Sequence, residues 1–192
     1  EAAAEILHTD GLLKMSNALR SWEIAERASM PALGEAARRM ACDQFEQVAA
    51  GDGWPSVPVE QVRALLSDDR LNVKSETLAY EAAVHWLRAQ SPPLGAAEVA
   101  ALLGHVRFPQ LPPDFIRDVV HAEPLLGTLE GMRMIARAME DGSFGGDSAM
   151  TRPRCGSSDG VVIVVGGSDG DSIMTGLQTA ERYDPATNTW EA

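Results

Sequence analysis

The residues 161–170 read VVIVVGGSDG, an apolar run that ends in glycines, and a nucleotide could in principle be cradled there. A dinucleotide-binding turn requires G-x-G-x-x-G at the opening of a helix. When Gly167 and Gly170 take the second and third glycine positions, Val165 takes the first. Asp169 and Asp171 would also face the pyrophosphate, and their charge is of the wrong sign for it. The same two carboxylates fail as a calcium loop. The further oxygens and the glutamate near position 12 of such a loop are missing, and an exposed loop is expected instead. His8, His85, His105 and His121 show no H-E-x-x-H spacing and read as partly buried structural residues. Cys42 and Cys155 lie far apart and build neither a disulfide framework nor a zinc site. Cys42 falls near a helix's apolar stripe and should simply pack there. Cys155 is expected to be exposed, with Arg152 and Arg154 flanking it and lowering its pKa; redox sensing is the role open to it. Ser67-Asp68-Asp69-Arg70 follows an apolar helix and reads as a solvated turn, in which Arg70 could pair with either aspartate for little gain. There is no Ser-His-Asp order, no G-x-S-x-G and no phosphate-binding loop. The sequence therefore predicts no enzyme, no cofactor and no metal.

Composition narrows the classes further. The chain has 192 residues, 45% of them apolar, enough for a real core. Sixteen basic residues face 28 acidic ones, for a net charge of −12. No basic stripe is present to follow a phosphate backbone, so nucleic acid is not an expected partner. No apolar run exceeds the five residues of 161–165, far short of the roughly 20 residues of a membrane helix, and no membrane association is expected. The two cysteines suit a reducing compartment. No secretory signal opens the chain and residue 1 is Glu, so a chain processed or cut from something longer is expected.

Helical signals fill the first 140 residues. Helices are expected over 17–28, with Asn17 as N-cap, and over 31–48, where Leu33, Ala37, Met40, Ala41, Phe45 and Val48 line one face. Further helices are expected over 59–66, 75–88 and 99–106. In the second of these, Leu78, Ala82 and Trp86 mark one face and Tyr80, Val84 and Leu87 another. A short helix over 114–121 should bury Phe115 and Val119. One over 128–140 should bury Leu129, Met132, Ile135 and Met139. Short links imply antiparallel neighbours, hence stacked helical hairpins.

Past residue 141 a Gly/Ser/Pro/Arg stretch leads to strand-like sequence. Residues 161–165 are β-branched throughout and end in Gly166-Gly167. A second strand is expected over 178–183, and Asp184-Pro185 and Thr187-Asn188 supply turns before Trp190.

The tail resembles the start of a Kelch repeat, on its apolar strand ending in Gly166-Gly167 and on ERYDPATNTW, with Tyr183 and Trp190 seven apart. The helical part resembles the BACK domain of BTB–BACK–Kelch proteins. The matching stretches are NALRSWEIAE (17–26), FEQV (45–48), LLSDDRLNVKSETLAYEAAVHWL (65–87) and LLGHVRFPQLP (102–112), and TRPR (151–154) fits the family's linker.

The fold this resemblance implies is mainly α: stacked helical hairpins, then a linker and an incomplete β-propeller blade. Residues 1–16 would be the end of a BTB helical tail, 17–140 a BACK-like domain, 141–160 the linker and 161–192 a partial Kelch repeat. The implied function is that of a non-enzymatic cytoplasmic or nuclear scaffold, a substrate adaptor of a cullin-RING E3 ubiquitin ligase. BTB would dimerise and bind the cullin scaffold, a complete Kelch propeller would capture the protein substrate, and BACK would space the two. A homodimer is expected only with BTB present. Cullin contacts within 6–19 would fall on Leu12, Leu13 and Met15, residues that could equally close the helical core. Gly166, Gly167, Tyr183 and Trp190 would be structural Kelch positions. One alternative is an actin-associated Kelch scaffold. Another is a copper oxidase of the Kelch-propeller kind, whose ligands would come from a complete propeller. With its pairing partners missing, strand 161–165 would be an exposed aggregation template, and residues beyond about 150 are expected to be poorly packed.

Overall fold

Apolar residues at helical spacing build the first hairpin, α1 (Ala18–Arg27) and α2 (Pro31–Asp43). In this computed structural model residues 13–143, 150–152, 154, 162–166, 180–184 and 189–191 are described. The turn between the two helices is closed by Met30 N–H on the Ala25 carbonyl and by Ser29 N–H on Glu26, with Ser29 at φ 53°. That is a Schellman-type stop in which a serine holds the left-handed position usually given to glycine. Pro31 opens α2, where its missing N–H is no loss. Asn17 is the N-cap residue of α1, but its side chain accepts from Lys14 N–H, one turn back, rather than capping the helix.

The single helix expected over 31–48 is two. α2 stops at Asp43, and α3 (Phe45–Ala49) restarts after Gln44. Asn72 explains the break. Its N–H donates to the Cys42 carbonyl and its side-chain amide to the Asp43 carbonyl, satisfying acceptors that a continuing helix would have used.

α4 (Val59–Ser67) and α5 (Glu76–Arg88) follow, joined by an extended stretch whose Leu71 and Val73 are fully buried. α5 packs by two indoles. Trp86 donates to the Val57 carbonyl, and Trp54, from the turn Trp54–Ser56, donates to the Ala82 carbonyl, both at 2.9 Å. Each buried indole thereby keeps the partner its N–H needs. Phe45 meets Trp54 edge-on, and Tyr80 meets Phe108 and Phe115 in the same way. Leu78, expected on the inner face, sits at its edge, 36% exposed.

α6 (Ala96–Leu103) buries Val99, Leu102 and Leu103. α7 (Pro113–Phe115) continues as a π-helical turn, Ile116–Val120. The wider turn advances the inward face by a residue. Ile116 and Val120 are buried, whereas Val119, expected inside, is exposed. α8 (Leu129–Ser143) departs further from expectation. Leu129, Met132 and Met139 lie outside, while Ile135 and Ala138 are buried. Gly131 gives the reason. A side chain there would come within 2.5 Å of the Leu126 carbonyl oxygen, so α8 approaches the turn Pro124–Leu126 on its small-residue face. The close backbone contact decides the orientation over the larger apolar residues.

The chain divides into two compact units, Glu1–Gly156 and Ser157–Ala192. The second unit holds β1 (Val162–Val165), β2 (Ala180–Asp184) and β3 (Thr189–Glu191) in one antiparallel sheet of that order. β1 is therefore paired along one edge, with Val164 opposite Glu181 and Val162 opposite Tyr183. This corrects the expectation of a strand without partners. The architecture is mainly α, with hairpin-like helices followed by strands that begin a Kelch repeat.

Candidate functional site

Glu76 lies in the first turn of α5 and is buried, an unusual position for a carboxylate. Three donors hold it. Arg107 N–H reaches Oε1 at 2.7 Å, Arg154 Nε reaches Oε2 at 2.8 Å, and Arg154 Nη2 reaches Oε1 at 3.1 Å. Arg154 also donates to the carbonyls of Leu66, Asp68 and His105. These carbonyls stand at the C-terminal ends of α4 and α6, where carbonyl groups lack helical partners and the helix dipole favours a cation. Glu76 in turn sits at a helix start, where an anion is favoured. The pair is almost dry, with side chains 1% and 4% exposed. Two more bonds fasten the same segment: Arg107 Nη1 to the Arg152 carbonyl and Gln110 Nε2 to the Thr151 carbonyl, both at 2.7 Å. Arg107 is itself buried and pairs with Asp69.

The expected role of Arg152 and Arg154 beside Cys155 is corrected for Arg154. Its guanidinium is committed to Glu76 and three carbonyls. Cys155 lies outside the described residues. Poor packing beyond residue 150 is likewise corrected at Arg154, which is 5% exposed. Local pattern could not have found this site, because Glu76 and Arg154 are 78 positions apart.

The turn Ser67-Asp68-Asp69-Arg70 is less solvated than expected. The Asp68 carboxylate is 7% exposed and binds Arg70 and Arg38. The Arg70 hydrogen bonds hold its pKa down at about 2. Arg70 also reaches Glu35, whose pKa is lowered because Arg38 and Arg70 together outweigh its burial. Cys42 is packed as expected, and burial, with Asp68 nearby, pushes its thiol up to about 12. Among the histidines, His85 and His121 are exposed, contrary to expectation. His105 is half-buried, and burial with Arg63 and Arg154 nearby lowers its pKa. His8 is outside the described residues. Among the described residues no cluster of His, Cys, Asp or Glu could hold a metal, and no helix is long and apolar enough to cross a membrane.

Near the N-terminus Leu13 is buried in the core and Met15 is 37% exposed; Leu12 is outside the described residues. Met15 borders a groove of about 550 Å³ whose walls include Leu19, Val48, Trp54 and Gln61. Gln61 is 2% exposed, and both heteroatoms of its amide lack a hydrogen-bond partner among the described residues.

In the second unit Gly166 has φ 75°, a conformation that suits glycine. Tyr183 and Trp190 are cross-strand partners, their rings 5.0 Å apart and tilted by 37°. Gly167, Asp169 and Asp171 are outside the described residues.

Comparison with known proteins agrees with this architecture. The family model described as "BTB And C-terminal Kelch" (BACK) matches residues 18–121, and the Kelch motif model matches 149–192. Human Kelch-like protein 35 is 30% identical over 94% of this chain and 31% of its own length. Rat Kelch-like protein 7 is 31% identical over 91% of this chain and 30% of its own. Human Kelch-like protein 4 is 27% identical over 93% of this chain and 25% of its own. The chain thus spans about a third or less of the length of the relatives it matches. On a BACK match covering more than half its residues, followed by a Kelch motif, the chain belongs to the BTB–BACK–Kelch (Kelch-like) family.

Proposed function

We propose that this chain is the non-enzymatic spacer of a cytoplasmic substrate adaptor for a cullin-RING E3 ubiquitin ligase. In this reading the helical unit holds a cullin-binding BTB dimer apart from a substrate-binding Kelch propeller, and the ligase partners perform the chemistry. The observation that carries it is the anchorage of Thr151, Arg152 and Arg154 on the helical unit. A spacer must control where the chain leaves it. A segment fastened by a dry ion pair and five hydrogen bonds to main-chain carbonyls leaves from a fixed point. The groove beside Met15 supports a cullin contact at the N-terminal end of the same unit, with Met15 as its candidate residue; Leu12 is a candidate on the family resemblance alone, and Leu13 belongs to the core.

The test is a pull-down with purified cullin scaffold, using this chain and a version with a BTB domain fused upstream. Binding by the fused version, weakened by Met15→Asp, is expected. Binding by neither would overturn the ligase reading. Actin co-sedimentation in that case would move the function to a cytoskeletal scaffold.

A further inference from the structure

α6 turns Ala97 and Ala101 to solvent, and Gly104 follows at its end. Small side chains there leave a trough of about 510 Å³ between α6 and α8, with Met134 in one wall and Arg133 and Arg137 on the rim. Most arginines of the helical unit, from Arg27 to Arg154, face a carboxylate at salt-bridge distance. Arg133 and Arg137 face none among the described residues, although Glu130 shares their rim and the chain carries a net charge of −12. Standing four apart on one helix, they are neighbours on its surface, about 6 Å apart along the axis.

We infer that this trough is a docking site for an acidic amphipathic helix of a protein partner. The apolar face of that helix would lie on the alanines and Met134. Alanine and glycine in the floor let a second backbone come close, as helix packing requires. Two carboxylates four residues apart on the incoming helix match the rise between Arg133 and Arg137. Charge complementarity selects an acidic occupant, and a two-fold contact with a second copy of this chain would instead set the same basic rim against itself. The surface is separate from the groove beside Met15, and the inference does not depend on the ligase reading.

The probe is a fluorescein-labelled amphipathic peptide of about sixteen residues, with leucine and alanine on one face and glutamates four apart on the other. A second peptide carries glutamine in place of each glutamate. Binding to the full chain is read by fluorescence polarisation. The acidic peptide should bind saturably in the range of about 10–100 µM, and the glutamine peptide about fivefold more weakly or worse. The double variant Arg133→Glu/Arg137→Glu should lose about tenfold or more, and Ala101→Trp, which fills the trough from an exposed position, should abolish binding. Arg20→Glu, remote from the trough in sequence and lining a different groove, is the charge control and should bind normally. Ala97→Trp is the alternative filler if Ala101→Trp does not fold. Equal binding of the two peptides overturns the inference. So do equal losses in the Arg20 and Arg133/Arg137 variants, no saturation below about 1 mM, or trough-dependent self-association in sedimentation velocity.

Discussion

Two charged clusters in the helical unit use the same groups and differ in what they accomplish. Around Asp68, four arginine–carboxylate contacts join Arg38, Arg70 and Glu35, with Arg70 47% exposed. Around Glu76, one arginine–carboxylate pair is sealed at 1% and 4% exposure and completed by main-chain carbonyls. The first is half at the surface: the Asp68 carboxylate is covered, but water and salt reach Arg70 and Glu35 and compete for their contacts. The second joins segments 78 residues apart. Removing one partner would leave the other charged and dry. The difference teaches that burial and completeness of hydrogen bonding, rather than the number of ion pairs, decide which cluster holds the molecule together.

The sharpest test is Arg154→Ala. It should destabilise the helical unit by about 3–5 kcal/mol in denaturant unfolding, because Glu76 would be left without its main partner. Adding Glu76→Gln to it should recover a substantial part of the loss. A cost below about 1 kcal/mol for the single change would make the two clusters equivalent and break the comparison.

Acid should act on the other cluster. Asp68 is held at about 2 against an ordinary 3.8, so its contribution is fully present above the unfolded value and is lost as pH falls through 2. Screening of the half-exposed Arg70 limits that contribution to about 1 kcal/mol. Asp68→Asn should accordingly flatten the acid limb of the stability curve between about pH 4 and 2.

Arg70→Ala should cost about 0.5 kcal/mol, and 1 M salt should erase most of the difference from the parent chain. A salt-resistant loss would place Arg70 with the structural cluster. The smallest signal is chemical. Cys42, buried beneath Asp68 with its thiol at about 12, should resist alkylation at pH 8 in the folded protein and react after unfolding.

How much of this was legible varied by element. The helices over 59–66 and 75–88 were readable because their apolar spacing and their packing agree. The face of α8 was not, since periodicity pointed to Leu129, Met132 and Met139, while the neighbouring Leu126 carbonyl admitted only Gly131. Val119 and Val120 exchanged places because a π turn shifts the register without a sequence signal of its own. Gly166, Tyr183 and Trp190 were named from a motif; Gly166 holds a left-handed turn position and Tyr183 faces Trp190 across two strands.

The sequence by itself determined the family, most of the helices and the first two strands, because each rests on local spacing and residue type. Tertiary structure alone decided the role of Arg154. No pattern near TRPR names a buried glutamate 78 residues earlier, or the carbonyls at two helix ends that complete its site. A guanidinium finds those partners only when the chain has brought them together.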